Sequence, residues 1–231
     1  MSWRATLALA GGIALLAASP APAQADWRAL CADPQGWKAL DDCAAAVRAV
    51  PENLEAQRRL AWLLLSNNRE PRALELFGRL AVLEQDNPEA QFDYAAALAT
   101  VWDYQAAVLP ITRAIRLKGD EPRYYRLAAV IYEQLARSDE AFVFHLRLAR
   151  LGDRIAMYDL ASDYAQGRGT EADDAAALHW FEAAAAQDHV GAMEQLAEAY
   201  GSGGLGLARD PARAEHWQQR AAAARAGATA D

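Results

Sequence analysis

The 231-residue sequence holds only two cysteines, Cys31 and Cys43, and no C-x-x-C pair, so neither a thiol redox motif nor a clustered Cys/His metal site is announced. Basic charge is scarce: 23 Lys and Arg stand against 31 Asp and Glu, a formal charge of −8. The chain therefore lacks the basic footprint that nucleic acid or an anionic lipid surface would require. Serine is thin beyond residue 25, where only Ser66, Ser138, Ser162 and Ser202 occur, none beside a base. No G-x-S-x-G, H-E-x-x-H or Walker loop is present, and no β-rich run occurs. The four histidines, His145, His179, His189 and His216, are scattered without metal-ligand spacing. These absences predict no catalytic residue, no metal and no cofactor.

What is present begins with a leader. Arg4 is the only charge among the first 25 residues, and Ala5–Ala18 is an unbroken run of apolar or small residues. Small-residue cleavage patterns end at Ala23 and at Ala25. A charged start, a short apolar core and an A-x-A site define a secretory signal peptide, and the run falls short of the roughly 20 residues of a membrane span. Loss of Arg4 with the leader takes the charge from −8 to −9. The mature chain is expected to be a soluble periplasmic protein with no membrane insertion after cleavage. In that oxidising compartment an even pair of cysteines favours a disulfide between Cys31 and Cys43.

The remainder repeats itself. Ala61, Ala95 and Ala129 are spaced by 34, as are Ala73, Ala107 and Ala141. Small residues at a fixed period mark close helix crossings, where a larger side chain would overpack by roughly 1–3 kcal/mol. Each unit reads as two amphipathic helices around a polar turn, with "NREPRALELFGRL", "YQAAVLPITRAI" and "SDEAFVFHLRLA" as the second helices. These units resemble tetratricopeptide (TPR) repeats, three of them over 54–152. A degenerate capping repeat precedes them over 26–53, in which the disulfide would tie two helices together. Trp is missing from its usual place in the first helices, and the repeat-end prolines are displaced to Pro88 and Pro122.

After Ile155 the period lengthens to 36, through pairs such as Ala156/Ala192, Leu160/Leu196, Tyr164/Tyr200 and Gly167/Gly203. Beyond the glycine-rich turn the offset becomes 37, as in Trp180/Trp217. A helix ending in Tyr, a glycine-rich turn, an acidic residue, then a Trp with small residues closely resembles the Sel1-like repeat, twice over 153–226. A tail, 227–231, is expected to be disordered. Gly201, Gly203 and Gly206 match G-x-G-x-x-G. They follow a helix rather than a strand, so they are expected to turn the chain between helices and not to hold a dinucleotide. Asp174 and Asp210 are expected to cap the helices that follow.

Together the repeats imply an all-α, right-handed α-solenoid of antiparallel helix pairs, whose first helices line a concave face. Counted along the TPR pattern, that face carries Arg58, Trp62, Phe92, Ala96, Arg123, Arg126 and Val130. Arginines beside aromatics suit an acidic or C-terminal peptide segment. The face resembles the carboxylate-clamping groove of some TPR proteins, with its asparagines replaced by Trp62 and Asp93. An ordinary solvated helical face is the competing reading. The resemblance implies a non-catalytic scaffold or adaptor that binds an envelope protein or peptide segment. The alternative is a binder of peptidoglycan fragments or envelope glycans, and the C-terminal end offers a surface for homo-oligomers.

Overall fold

The computed structural model describes residues 27–31 and 37–228, and all its regular elements are helical. The expected leader (1–25) and residues 229–231 lie outside the described residues. The chain divides into two compact units, Met1–Leu60 and Ala61–Asp231.

In the first unit a single helical turn, α1 (Trp27–Leu30), precedes α2 (Trp37–Ala49) and the opening of α3 (Leu54–Ser66). One turn of helix cannot hold itself in water. The expected disulfide is formed: Cys31, just past α1, is bonded to Cys43 on α2, and both are fully buried. Arg59 Nε donates to the Cys31 carbonyl at 3.1 Å, and Asn53 Oδ1 accepts from Ala56 N to cap α3. The small loop this bridge closes is worth about 3 kcal/mol in the chain-entropy picture. Changing Cys31 and Cys43 to serine should therefore destabilise this unit by about that amount, read as faster hydrogen exchange in α2.

The second unit is an α-solenoid of helix pairs: α4 (Glu70–Leu83), α5 (Pro88–Thr100), α6 (Tyr104–Leu117), α7 (Pro122–Gln134) and α8 (Ser138–Arg150) follow the end of α3. Then come α9 (Arg154–Gln166), α10 (Asp174–Ala186), α11 (Val190–Ser202) and α12 (Pro211–Ala228), so Gly227 is helical. From α4 onward each helix packs on its neighbours in the chain. The 34-spaced alanines Ala61, Ala95, Ala129, Ala73, Ala107 and Ala141 are all buried, as close crossing requires. In the 36-residue pairs Leu160, Leu196, Ala161 and Ala197 are equally buried, and Trp180 and Trp217 pack against the same core. The displaced prolines have a local reason: Pro88 and Pro122 open α5 and α7, where a missing N–H costs nothing. The turns of the 34-residue pairs share one backbone shape, with positive φ at Asn68, Trp102 and Ala136.

The glycine-rich turns stop helices. Gly167 and Gly203 end α9 and α11 in the left-handed conformation, at φ 64° and 83°. Gly201 is itself inside α11, and no strand precedes the loop among the described residues. One assignment shifts by a residue. Asp173, not Asp174, caps α10 by accepting from Ala176 N, because Asp173 keeps the extended backbone a cap needs. Asp174 follows in the first turn and favours the positive helix end. Asp210 caps α12 through Arg213 N as expected.

Candidate functional site

The expected concave face is built from α5 and α7 in the second unit. Phe92 is half-buried, with its ring centroid 5.0 Å from that of Tyr124. The Arg123 guanidinium lies 5.0 Å over Phe92 and 5.3 Å over Tyr124. It also bonds Glu89, one repeat earlier, and sits 3.5 Å from Glu121. Tyr124 donates its hydroxyl to Glu89 Oε1 at 2.8 Å; burial, then that bond, raises its pKa. Arg126 donates through Nε and Nη2 to Asp153 Oδ2 at 3.1 and 3.0 Å. Asp153 also accepts from Ile155 N and Ala156 N, capping α9. Burial would raise its carboxyl, but the cap bonds and Arg126 hold it below the usual range.

Two of the three arginines are thus already joined to the chain's own carboxylates. They remain about half-exposed, so an acidic ligand would compete with Glu89 or Asp153 rather than meet bare charge. Val130 is 43% exposed on the same helix as Arg123. Trp62 is half-buried and meets Phe77 edge-on at 4.9 Å, so its indole is used within its own hairpin. Ala96 is half-buried on α5, and Arg58 is half-buried in the first unit. Trp102, in a turn, is 76% exposed.

A second cluster was not anticipated from the repeat periods. His145 on α8 and Asp163 on α9 are only 3% and 4% exposed. His145 Nδ1 lies 2.7 Å from Asp163 Oδ2; the carboxylate accepts, so the ring proton sits on Nδ1. Arg168 Nε donates to Asp163 Oδ1 at 3.0 Å, and Glu133 Oε1 lies 3.5 Å from His145 Nε2. These groups line a pocket of about 280 Å³ together with Ser138 and Ala141. The cluster joins the last 34-residue pair to the first 36-residue pair. Among the described residues, no group of three or more His, Cys, Asp or Glu is placed to hold a metal.

The cluster titrates. Burial alone would lower His145, but its bond to Asp163 and the charges of Asp163, Asp159 and Glu133 reverse this and hold it above 6.5. Asp159, half-buried nearby, is pushed from 3.8 to about 6 by burial and then by Glu133 and Asp163, against His145 and Arg168. Both shifts are upward, so the folded state keeps protons that the unfolded chain would release. Stability from Asp159 is complete below its unfolded value of 3.8 and lost as pH rises through about 6. Stability from His145 is complete below 6.5 and lost as pH rises through its higher folded value. With water still reaching Asp159, unfolding free energy should fall by about 1–2 kcal/mol between about pH 5 and pH 8. Urea titrations at each pH read this slope, and Asp159→Asn should flatten it.

The family model of the Sel1 repeat matches residues 154–189 and 190–225, so the two 36-residue units are Sel1 repeats. No curated protein matches the chain significantly. Among solved structures, a Sel1 repeat protein from Oxalobacter formigenes is 27% identical, over 83% of this chain and 80% of its own, with a TM-score of 0.53. YrrB, a TPR protein with an unusual peptide-binding site, is 19% identical over 79% of this chain and 91% of its own, with a TM-score of 0.60. The protective antigen c5321 of uropathogenic Escherichia coli is 24% identical over 80% of this chain and 40% of its own, with a TM-score of 0.55. The last two share the fold. Repeat proteins of this build generally mediate protein–protein interactions and are typically non-catalytic. No described helix is long and apolar enough to cross a membrane.

Proposed function

We propose that the chain is a non-catalytic scaffold or adaptor of the bacterial cell envelope, exported by a cleaved leader. In this reading the 34-residue pairs are TPR-like and hold a protein partner on the α5–α7 face. The supporting observation is the patch where the Arg123 guanidinium lies across Phe92 and Tyr124, on the helix that leaves Val130 43% exposed. Aromatic and Arg residues are the usual anchors of an interface, and an acidic segment could exchange with Glu89 on Arg123. The peptide-binding site named for YrrB, which shares this fold, supports the same kind of use.

The test is affinity capture of the leaderless protein from envelope extract, with mass spectrometry of what co-purifies. Val130→Glu and Arg123→Glu should lose the partner with little change in melting temperature. Arg58→Glu, tested alone, reports on the first unit. A partner held equally by wild type and all variants would rule out this face. If no protein is enriched and muropeptides bind by calorimetry, the glycan reading takes its place.

A further inference from the structure

We propose that the concavity bounded by Arg154, Asp188, His189, Val190, Arg220 and Ala224 binds a carboxylate carried on a small aliphatic or peptide body. It lies within the Sel1 repeats and does not rest on the α5–α7 face. From Arg154 onward 12 acidic residues stand against 6 basic ones, so converging guanidiniums run against the local charge. Nor does the repeat demand them. Arg154 falls where the next repeat has Val190, and Arg220 where the preceding one has Ala183.

The geometry fixes both arginines. Arg154 Nη1 donates to the Gln187 carbonyl at 3.2 Å, and Arg220 Nη2 to the Ala185 carbonyl at 3.3 Å. Both carbonyls lie at the end of α10, where cations are favoured. Each guanidinium has five N–H donors in a fork that suits carboxylate, and these backbone bonds use only part of that set. The one acid in the wall, Asp188, lies 3.6 Å from Arg220 Nη2 and is 73% exposed, a weak hold.

His189 adds a neutral donor. Ala192 N donates to its Nδ1 at 3.1 Å, which leaves the ring proton on Nε2, and Tyr158 stacks on the ring at 4.7 Å. Burial and then the charge of Arg154 lower the His189 pKa, as expected beside surplus positive charge. Val190, Ala223 and Ala224 supply an apolar wall, and the space is about 610 Å³, room for a small ligand body. Two arginines against one aspartate leave a single positive charge. That suits one carboxylate better than a phosphate dianion.

The test follows the His189 imidazole by NMR while N-acetyl-Ala-Ala is added to the full chain, with the C-terminally amidated peptide as control. A saturable rise in the His189 titration midpoint is expected with the free acid and not with the amide. N-acetyl-Asp amide tests whether a side-chain carboxylate serves as well as a chain terminus; binding by either supports the site and identifies the source. Arg154→Gln and Arg220→Gln should each weaken binding about tenfold. Asp188→Asn removes the competing acid at a position with φ 58°, which Asn tolerates, and should tighten binding by a few fold. A gain of this kind cannot come from misfolding. No shift with either acid, an equal shift with the amide, or affinity indifferent to Asp188→Asn would each overturn the proposal.

Discussion

Replacing Gly169 with alanine should destabilise the protein by about 3 kcal/mol, whereas the same change at Gly206 should cost about 1 kcal/mol. The two glycines occupy corresponding turns and share a φ of 68°. Both substitutions therefore carry the left-handed backbone penalty of an L residue. They differ in surroundings. A Cβ on Gly206 would meet only Asp174, at 3.9 Å, whereas one on Gly169 would lie 2.2 Å from the Ser138 carbonyl oxygen and 2.9 Å from Phe142 Cβ. A backbone carbonyl at the start of a packed helix cannot rotate away, so the turn after α9 must lift off α8. Urea unfolding of the two variants measures the difference. Equal losses would show that backbone conformation alone sets the cost.

Asp163→Ala is expected to cost about 3–5 kcal/mol. The change removes the acceptor of His145 Nδ1 and of Arg168 together, and leaves a buried ring N–H without a partner. Alanine itself is not the difficulty, since Ala199 fills the equivalent position of the next repeat and is buried there. The double variant His145→Ile with Asp163→Ala separates the explanations. It restores the apolar column in which Ile111 and Phe77 sit at the corresponding positions, both fully buried. Replacing both members of a buried polar pair with packed apolar groups is often close to neutral, so the double variant should recover most of the loss. If it is as unstable as Asp163→Ala, the pair matters for shape rather than for satisfied charge.

Much of the fold was legible because its periods are carried by small residues at close crossings, such as Ala61, Ala95 and Ala129. A larger side chain there would overpack by roughly 1–3 kcal/mol, so the spacing shows in the residue types. The His145–Asp163 joint was harder. Its members lie 18 residues apart in different repeat types, so neither period aligns one with the other. Each nonetheless breaks its own column, a histidine in line with Phe77 and Ile111 and an aspartate in line with Ala199, and that double departure was the available signal. The α5–α7 face was readable as a set of positions but not as a set of bonds. Which carboxylate reaches Arg123 or Arg126 depends on the small rotation between successive helix pairs, which no spacing encodes. The cap of α10 shows the same limit, because Asp173 and Asp174 are chemically alike and only the local backbone separates their roles.

The neighbour-on-neighbour packing of α4 to α12 has a kinetic consequence. An array whose contacts join helices adjacent in the chain has low contact order, so little loop entropy must be spent before contacts form, and folding is fast and can begin at any pair. Growth from either side then adds one apolar surface at a time, until it reaches α8 and α9. That step encloses a histidine and a carboxylate as well as apolar surface, and it needs Arg168 and the turn around Gly169 already in place. The boundary between the two repeat types is therefore where a growing helical array should pause.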